Sequence, residues 1–408
     1  MVGGGPAGLM AAYAAASEGA QVLLLEKNER PGRKLLITGK GRCNVTNNCT
    51  EEEFLQNITT NPKFLYSAIR RFSIRDTMDF FESRGVPLKT ERGNRVFPVS
   101  DKAADILSAL LNSCRKAGVR LEKGNTDKII LENGTAVGVC CGGTEYRGSR
   151  IILATGGKSY PQTGSTGEGY RMAKECGHTI TEICPLLVPL ISEDEACADM
   201  QGLSLRNVEL CLIDKKKGKP VFREVGEMLF THYGMSGPLI LSASAHIRPF
   251  EKGRYEVRID CKPGLTEKQL DARILRAFSE MPNREFANGL TKLLPKKLIP
   301  IVVMRSGIPP LLRINQISRE QRLSFVALLK GISFSVDGFR PISEAIVTSG
   351  GVSVKELSPQ TMESKLVKGL YFAGEIIDVD GYTGGFNLQI AFSTGFAAGI
   401  AAAGEMRK

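Results

Sequence analysis

Three glycines in the opening run Met-Val-Gly-Gly-Gly-Pro-Ala-Gly constrain this chain more than any other feature. Gly3, Gly5 and Gly8 have the G-x-G-x-x-G spacing of a strand-to-helix turn that receives a pyrophosphate. Gly3 permits the tight turn, Gly5 leaves room for the pyrophosphate at the backbone, and Gly8 lets the helix pack close to a sheet. Through Pro6 and Ala7 the turn runs into a helix over Ala7–Ser17, whose first N–H groups and positive dipole end face the phosphates. Glycine-rich turns also arise for purely structural reasons, but here the helix is full of alanine and Gly19 closes it. The apolar run Val22–Leu25 then ends at Glu26, placed to accept hydrogen bonds from an adenosine ribose, with Lys27 beside it. Only Met1 and Val2 precede the first glycine, whereas the central strand of such a sheet has about five residues. The expectation is a start further upstream, because a nearly absent central strand would leave its neighbours' backbone groups unpaired.

At 408 residues the chain exceeds one ordinary core, so two or three domains are expected. No run is expected to reach the ~20 apolar residues of a membrane helix. The alanine-rich start has no basic n-region and carries the glycine fingerprint, so it is not read as a signal peptide. Ten cysteines without C-x-x-C pairs or histidine clusters suit the reducing cytoplasm and argue against a metal site. The formal charge of +11 is read as solubility and affinity for anionic cofactors. Nucleic acid is the lesser reading: the densest basic run, Lys215-Lys216-Lys217-Gly218-Lys219, reads as a solvated hairpin tip, and no basic stripe is interleaved with aromatics.

Along the chain, Ser100 is expected to cap a helix over Asp101–Ala117, followed by a strand from Val119. Lys128–Leu131 and Thr135–Cys141 read as a hairpin around Asn133-Gly134. Arg150–Ala154 is a buried strand. This order is that of an FAD-binding domain. Short strands follow near Val208–Ile213, Pro220–Val225 and Tyr255–Asp260. Helical segments then occupy Glu267–Glu280, Glu285–Leu293, Ile299–Met304 and Arg319–Lys330. Strand-like Gly331–Ser335 comes next, and later a strand over Leu370–Ala373 and a small-residue helix over Asn387–Ala403.

Three further segments carry chemistry. In the loop 31–47, Arg33, Lys34 and Arg42 offer charge to phosphates, Gly41 permits close approach, and Cys43 and Asn44 sit among short polar side chains suited to a flavin. The strand ending at Ala154 runs into Thr155-Gly156-Gly157, which lets a loop pass under the cofactor; Thr126 is a further candidate contact. After Gly374-Glu375, Asp378 can hold ribityl hydroxyls. Gly384-Gly385 open a second helix at Phe386 and Asn387, with Gly385 read as the point of close approach to the flavin. A helix start aimed at the flavin pyrimidine stabilises the negative charge of the reduced ring. Tyr160, His232 and Tyr382, with Tyr233, are candidate proton donors, each in a loop beside a motif.

The segments GRKLLITGKGRCNVTN (32–47), TGSTGEGY (163–170), FTHYGMSGP (230–238), VTSGGV (347–352) and GEIIDVDGYTGGFNLQIAFSTG (374–395) resemble a family of bacterial flavoproteins. That family includes aminoacetone oxidase and 3-dehydro-bile-acid delta(4,6)-reductase, and the resemblance covers essentially the full chain. It implies an α/β fold: a Rossmann-like FAD-binding domain (1–185 and 340–408), an inserted small β-barrel-like domain on the substrate side (186–265 and 331–339) and an inserted helical domain (266–330). It implies bound FAD and redox chemistry. NADH or NADPH would be a transient electron donor, since no second dinucleotide fingerprint is present. The favoured activity is NAD(P)H-driven reduction of a C=C conjugated to a ketone. The alternatives are an amine or aminoketone oxidase and an RNA-associated flavoprotein. A small-molecule substrate, no membrane, and a monomer or small homo-oligomer complete the expectation.

Overall fold

A computed structural model describes residues 1–404. The chain forms two compact units: Met1–Leu186 together with the chain from Pro341 onward, and Leu187–Arg340.

The first unit is built on a parallel sheet. Leu23–Glu26 pairs with Arg120–Lys123, and Ile151–Leu153 pairs with Leu370–Phe372, both parallel. Val2 stands between the two pairs, bridging Leu25 on one side and Leu153 on the other. Leu25 donates to the Met1 carbonyl and Gly3 to the Leu25 carbonyl, while Val2 donates to Ile152 and Ala154 to Val2, all at 2.9 Å. The neighbours of the short central segment are therefore paired at this level rather than stranded, because bonds run from both edges of so short a piece.

The first helix, Pro6–Ser17, and the last, Phe386–Gly404, lie against each other over the sheet. A Cβ on Gly395 would fall 2.4 Å from the Ala7 carbonyl oxygen, and one on Gly399 2.3 Å from that of Ala11. Partners rise in number together, so the helices run parallel, and only alanine and glycine fit where the backbones touch. At 19 residues the last helix is long and apolar enough to cross a membrane by length and composition, contrary to the sequence reading. It is instead a core helix, with 72% of its apolar window buried.

Two local differences have clear causes. The helix expected from Asp101 starts at Ala103, with Lys102 at its N-cap. Asp101 adopts φ +56°, and the Ser100 hydroxyl is taken by the Lys102 N–H and the Asp105 carboxylate. Between residues 51 and 82 the sequence reading passed over three helices, Glu51–Gln56, Tyr66–Arg71 and Ile74–Glu82. The first and third begin with capping boxes, Thr50 with Glu53 and Ser73 with Asp76, a signature visible in the sequence.

The second unit holds a seven-stranded sheet in the order Ile332–Val336, Tyr255–Asp260, Ser204–Asp214, Lys219–Thr231, Gly234–Ser236, Leu190–Ile191, Gly338–Phe339. Its two edge strands are separated in the chain by Asp337 alone, so the sheet curls until its edges meet at that corner. The basic run at 215–219 is the tip of a hairpin, as its sequence suggests. Helices Glu267–Ser279, Ile299–Ser306 and Arg319–Lys330 pack on the strands through one apolar cluster that includes Leu210, Val257, Phe334, Ile274, Val302 and Phe325. Strands and helices read as two insertions thus fold as one unit around a common core.

Candidate cofactor site

Most glycines of the opening turn are explained by the protein's own atoms. Gly3 has φ +98°, and a Cβ there would lie 2.6 Å from the Ala154 carbonyl oxygen. A Cβ on Gly8 would lie 1.9 Å from the Gly3 carbonyl oxygen. Gly5 is different. Its φ of −78° is ordinary, and a Cβ would meet nothing within 4 Å. No atom of this chain requires glycine at position 5, and the space there is open to a group outside the chain. The first helical hydrogen bond is Leu9 N–H to Gly5, which leaves the N–H groups of Ala7 and Gly8 without intrahelical acceptors beside that space. No side chain caps this helix start.

Glu26 is buried behind the turn. Its carboxylate accepts from the Gly4 N–H at 2.7 Å and from the Asn28 N–H and Nδ2 at 2.8 and 2.7 Å. A carboxylate has further lone-pair sites for a ribose. Its first task, however, is holding the loop. Glu26→Ala should therefore lower the stability of the apoprotein by about 1–3 kcal/mol as well as weaken cofactor binding, because it strands the Gly4 N–H. Chemical denaturation of the FAD-free variant measures this; an unchanged midpoint would assign Glu26 to the ribose alone.

The parallel helices place a second start at a defined offset. Gly395 stands beside Ala7, but the last helix begins at Phe386, nine residues earlier, and the first begins at Pro6, one residue earlier. The later start overshoots the first by about 12 Å at 1.5 Å per residue. Two positive helix ends face the same way along one axis, an arrangement suited to a ligand with a pyrophosphate and a second site of negative charge.

At the second start, Gly384 and Gly385 have φ +120° and +100°. A Cβ on Gly385 would lie 2.4 Å from the carbonyl carbon and oxygen of Thr46. The close approach expected between Gly385 and a flavin is therefore made to the Thr46 backbone. Thr46 is held by its hydroxyl, which donates to Gln389 at 2.7 Å, and Asn47 Nδ2 donates to the Gly384 carbonyl at 3.0 Å. The Asn387 amide is spent on Gly381 and Tyr382, and the Phe386 ring packs on Phe54. What this start offers a ligand is its backbone N–H groups.

The basic loop is less free than its sequence suggests. Lys34 Nζ pairs with Glu375 at 2.7 Å and donates to Ser159 at 2.6 Å; Glu375 also accepts from the Thr348 N–H at 2.8 Å. A Cβ on Gly157 would collide with Thr348 and Glu375, so this cluster also explains that glycine. Ser159 and Thr348, which sequence reasoning did not single out, thus tie four segments together. Arg42 is held by Glu91 and by Asp101 at 2.6 Å and lies over the Phe97 ring; Lys27 pairs with Glu168 at 2.8 Å. Of these four cations, Arg33 alone has no carboxylate partner among the described residues and bonds only the Asn28 amide oxygen. The Cys43 thiol is fully buried and pushed up to about 12 by that burial, so it is inert. Thr126 meets the Cys141 sulfur at 3.3 Å. Asp378 accepts from Asn61 Nδ2 at 3.2 Å. Asp380, missed in the sequence, is fully buried and accepts from the hydroxyls of Thr59, Thr60 and Ser349. Two buried acceptors, Asn44 Oδ1 and Thr155 Oγ1, have no hydrogen-bond partner.

Tyr160 and Tyr382 belong to this unit and are half-buried. Burial, then the charge of Glu344, raises the Tyr160 phenol above its usual range, so it keeps its proton at neutral pH. His232 is exposed in a turn of the other unit, stacked edge-on against Tyr233. Ser364, His178 and Glu356 have the bonding order of a nucleophilic triad, at 2.8 and 3.1 Å. The Ser364 oxygen already accepts the N–H groups of Leu366 and Val367 and is buried with His178, so the trio is structural.

Residues 1–401 match the family described as HI0933-like protein Rossmann domain. The chain belongs to this family. It is 34% identical to the 3-dehydro-bile acid delta(4,6)-reductase of Clostridium scindens, over 99% of this chain and 98% of that one. It is 30% identical to the ribosomal RNA dihydrouridine synthase of Escherichia coli, over 97% and 96%. Among solved structures, the 3-ketosteroid-delta4-(5alpha)-dehydrogenase of Rhodococcus jostii RHA1 shares the fold at TM-score 0.51 and 16% identity, covering 98% of this chain and 95% of that one. This HI0933-like protein is an FAD-dependent oxidoreductase with a Rossmann-like FAD-binding domain. The residues present fit FAD: the position at Gly5 is open and the two offset helix starts present free N–H groups.

Proposed function

We propose that this HI0933-like protein is an NAD(P)H-driven reductase that saturates a C=C conjugated to a ketone, with a 3-oxo-4,6-diene of the bile-acid kind as its substrate class. The observation that carries the reading is the near full-length relationship to the Clostridium scindens reductase. Bound FAD supplies the hydride chemistry between nicotinamide and substrate. The chain's own contribution is positioning and charge. The helix start at Phe386 holds negative charge, while the Lys34–Glu375 pair and Ser159 tie the cofactor-side loops together. Tyr382, just ahead of that helix, holds the proton that the carbon next to the carbonyl receives, and Tyr160 is the alternative donor. Ten free cysteines accord with work in the cytoplasm, where nicotinamide nucleotides are also at hand.

A second reading of the substrate is a uracil ring in RNA. Dihydrouridine is uridine with a reduced ring C=C, itself conjugated to a carbonyl, so the bond type is the same. The net charge of +11 and the Escherichia coli relative favour it.

Anaerobic stopped-flow mixing tests the reading. NADH or NADPH should bleach the flavin of the holoprotein, and a 3-oxo-4,6-diene steroid should restore its colour with formation of the saturated product. Tyr382→Phe should slow the second half-reaction by at least about 100-fold and leave the first unchanged. A flavin bleached by an aminoketone and restored only by oxygen would establish the oxidase instead.

A further inference from the structure

The basic surplus is not spread evenly. Residues 266–330 hold twelve Lys and Arg against five Asp and Glu, a net +7 out of +11 for the whole chain. Four of the twelve are in ion pairs: Lys292 with Glu280, Arg305 with Asp194, Arg322 with Asp271 and Lys330 with Asp260. The rest are exposed, and none of them has a carboxylate partner among the described residues.

Six of these form the argument. The helix Glu267–Ser279 buries Leu270, Ile274 and Phe278 and turns Lys268, Arg273 and Arg276 outward. Its carboxylates are Glu267 at the first position and Asp271, which Arg322 neutralises. Beyond its end, Phe286 donates to Leu312 at 2.8 Å, Ile314 to Arg284 at 2.9 Å and Asn315 to Pro282 at 3.0 Å. That pairing sets Arg284 and Arg313 on adjoining segments, with the Asn283 and Asn315 amides 3.4 Å apart. Arg319 opens the next helix. The six cations outnumber the segment's carboxylates outside these ion pairs, Glu267, Glu285 and Glu320, and the surplus positive charge repels itself, a cost that an external polyanion relieves. Five of the six are arginine, whose planar fork matches phosphate oxygens two at a time. The segment's aromatic rings, Phe278, Phe286 and Phe325, are all buried, so none is offered for base stacking.

We propose that the exposed arginines of this helical segment dock RNA through its phosphate backbone, positioning the polymer without reading its sequence. The proposal deepens the second reading of the substrate and rests on it.

The test uses the FAD-loaded full chain and a fluorescent RNA hairpin of about 40 nucleotides, with vesicles of phosphatidylserine and phosphatidylcholine as a separate arm. The parent should bind the RNA, with affinity falling steeply as salt rises. The variant Arg273→Glu/Arg276→Glu/Arg284→Glu/Arg313→Glu should bind at least about 30-fold more weakly, with a salt slope shallower by about 3. Its FAD content and rate of flavin reduction by NAD(P)H should equal the parent's. The milder set with Gln at the same four positions should show the same direction, which guards against misfolding. Lys215→Glu/Lys219→Glu, at the hairpin tip, should bind RNA like the parent. Unchanged RNA affinity in both arginine variants would overturn the proposal, as would loss of binding in the tip variant, or binding to vesicles but not to RNA. Because binding is read without turnover, the result stands apart from that of the dienone experiment.

Discussion

Gly5→Asp should give a folded, colourless protein. Nothing in the chain lies within 4 Å of where the new Cβ goes, and φ there is already one that any residue adopts. Aspartate is also at least as good an N-cap as glycine, so the first helix gains a cap if anything. Apoprotein stability should stay within about 0.5 kcal/mol of the parent. The carboxylate, however, occupies and charges the space kept for the pyrophosphate. FAD affinity should fall at least 100-fold, about 2.8 kcal/mol. Absorbance of the purified protein and titration of the apoprotein with FAD measure the loss, and thermal melts of the apoprotein check the fold. A yellow Gly5→Asp protein would move the phosphates elsewhere. The contrast is Gly8→Ala, where the methyl would collide with the Gly3 carbonyl and the apoprotein itself should fail.

The second large effect belongs to Gly385. A Cβ there overlaps the Thr46 carbonyl, and φ +100° is strained for any residue that carries one. Thr46 has little room to retreat, since it is fully buried, pairs with Val96 and is tied to Gln389. Gly385→Val should cost about 3 kcal/mol or more and yield little folded, FAD-loaded protein. Because the collision is with the first side-chain carbon, Gly385→Ala should be nearly as damaging. A stable, fully loaded Ala variant with a shifted flavin potential would instead return the close approach to the flavin.

Gly385 also marks the boundary of what the sequence could tell. Its need for glycine was legible in Gly-Gly before a small-residue helix; the atom that imposes the need was not, because Thr46 lies more than 300 residues away in the chain. The same divide separates Gly5, whose open position the spacing anticipated, from Lys34 and Arg42. Their charges looked available for phosphate until folding supplied Glu375 and Glu91 with Asp101. Ser159 carried no local signal and Thr348 stood only as one letter of the motif 347–352, since a single hydroxyl becomes informative only when distant segments meet on it. The capping boxes at Thr50 and Ser73 are the opposite case, local patterns that were simply passed over. The charge of residues 266–330 went unseen because it is dispersed rather than concentrated in a run.

The parallel contact of the first and last helices has a consequence for how the molecule is born. Ala7 and Ala11 are synthesised nearly 400 residues before their partners Gly395 and Gly399. The continuous stretch Leu187–Arg340 has its own core and can close while synthesis proceeds, whereas the nucleotide cradle must wait for the helix Phe386–Gly404. Nascent chains stalled shortly before Phe386 should therefore carry an intact glycine fingerprint and retain no flavin, and the alanine-rich first helix should be a binding target for chaperones during that interval.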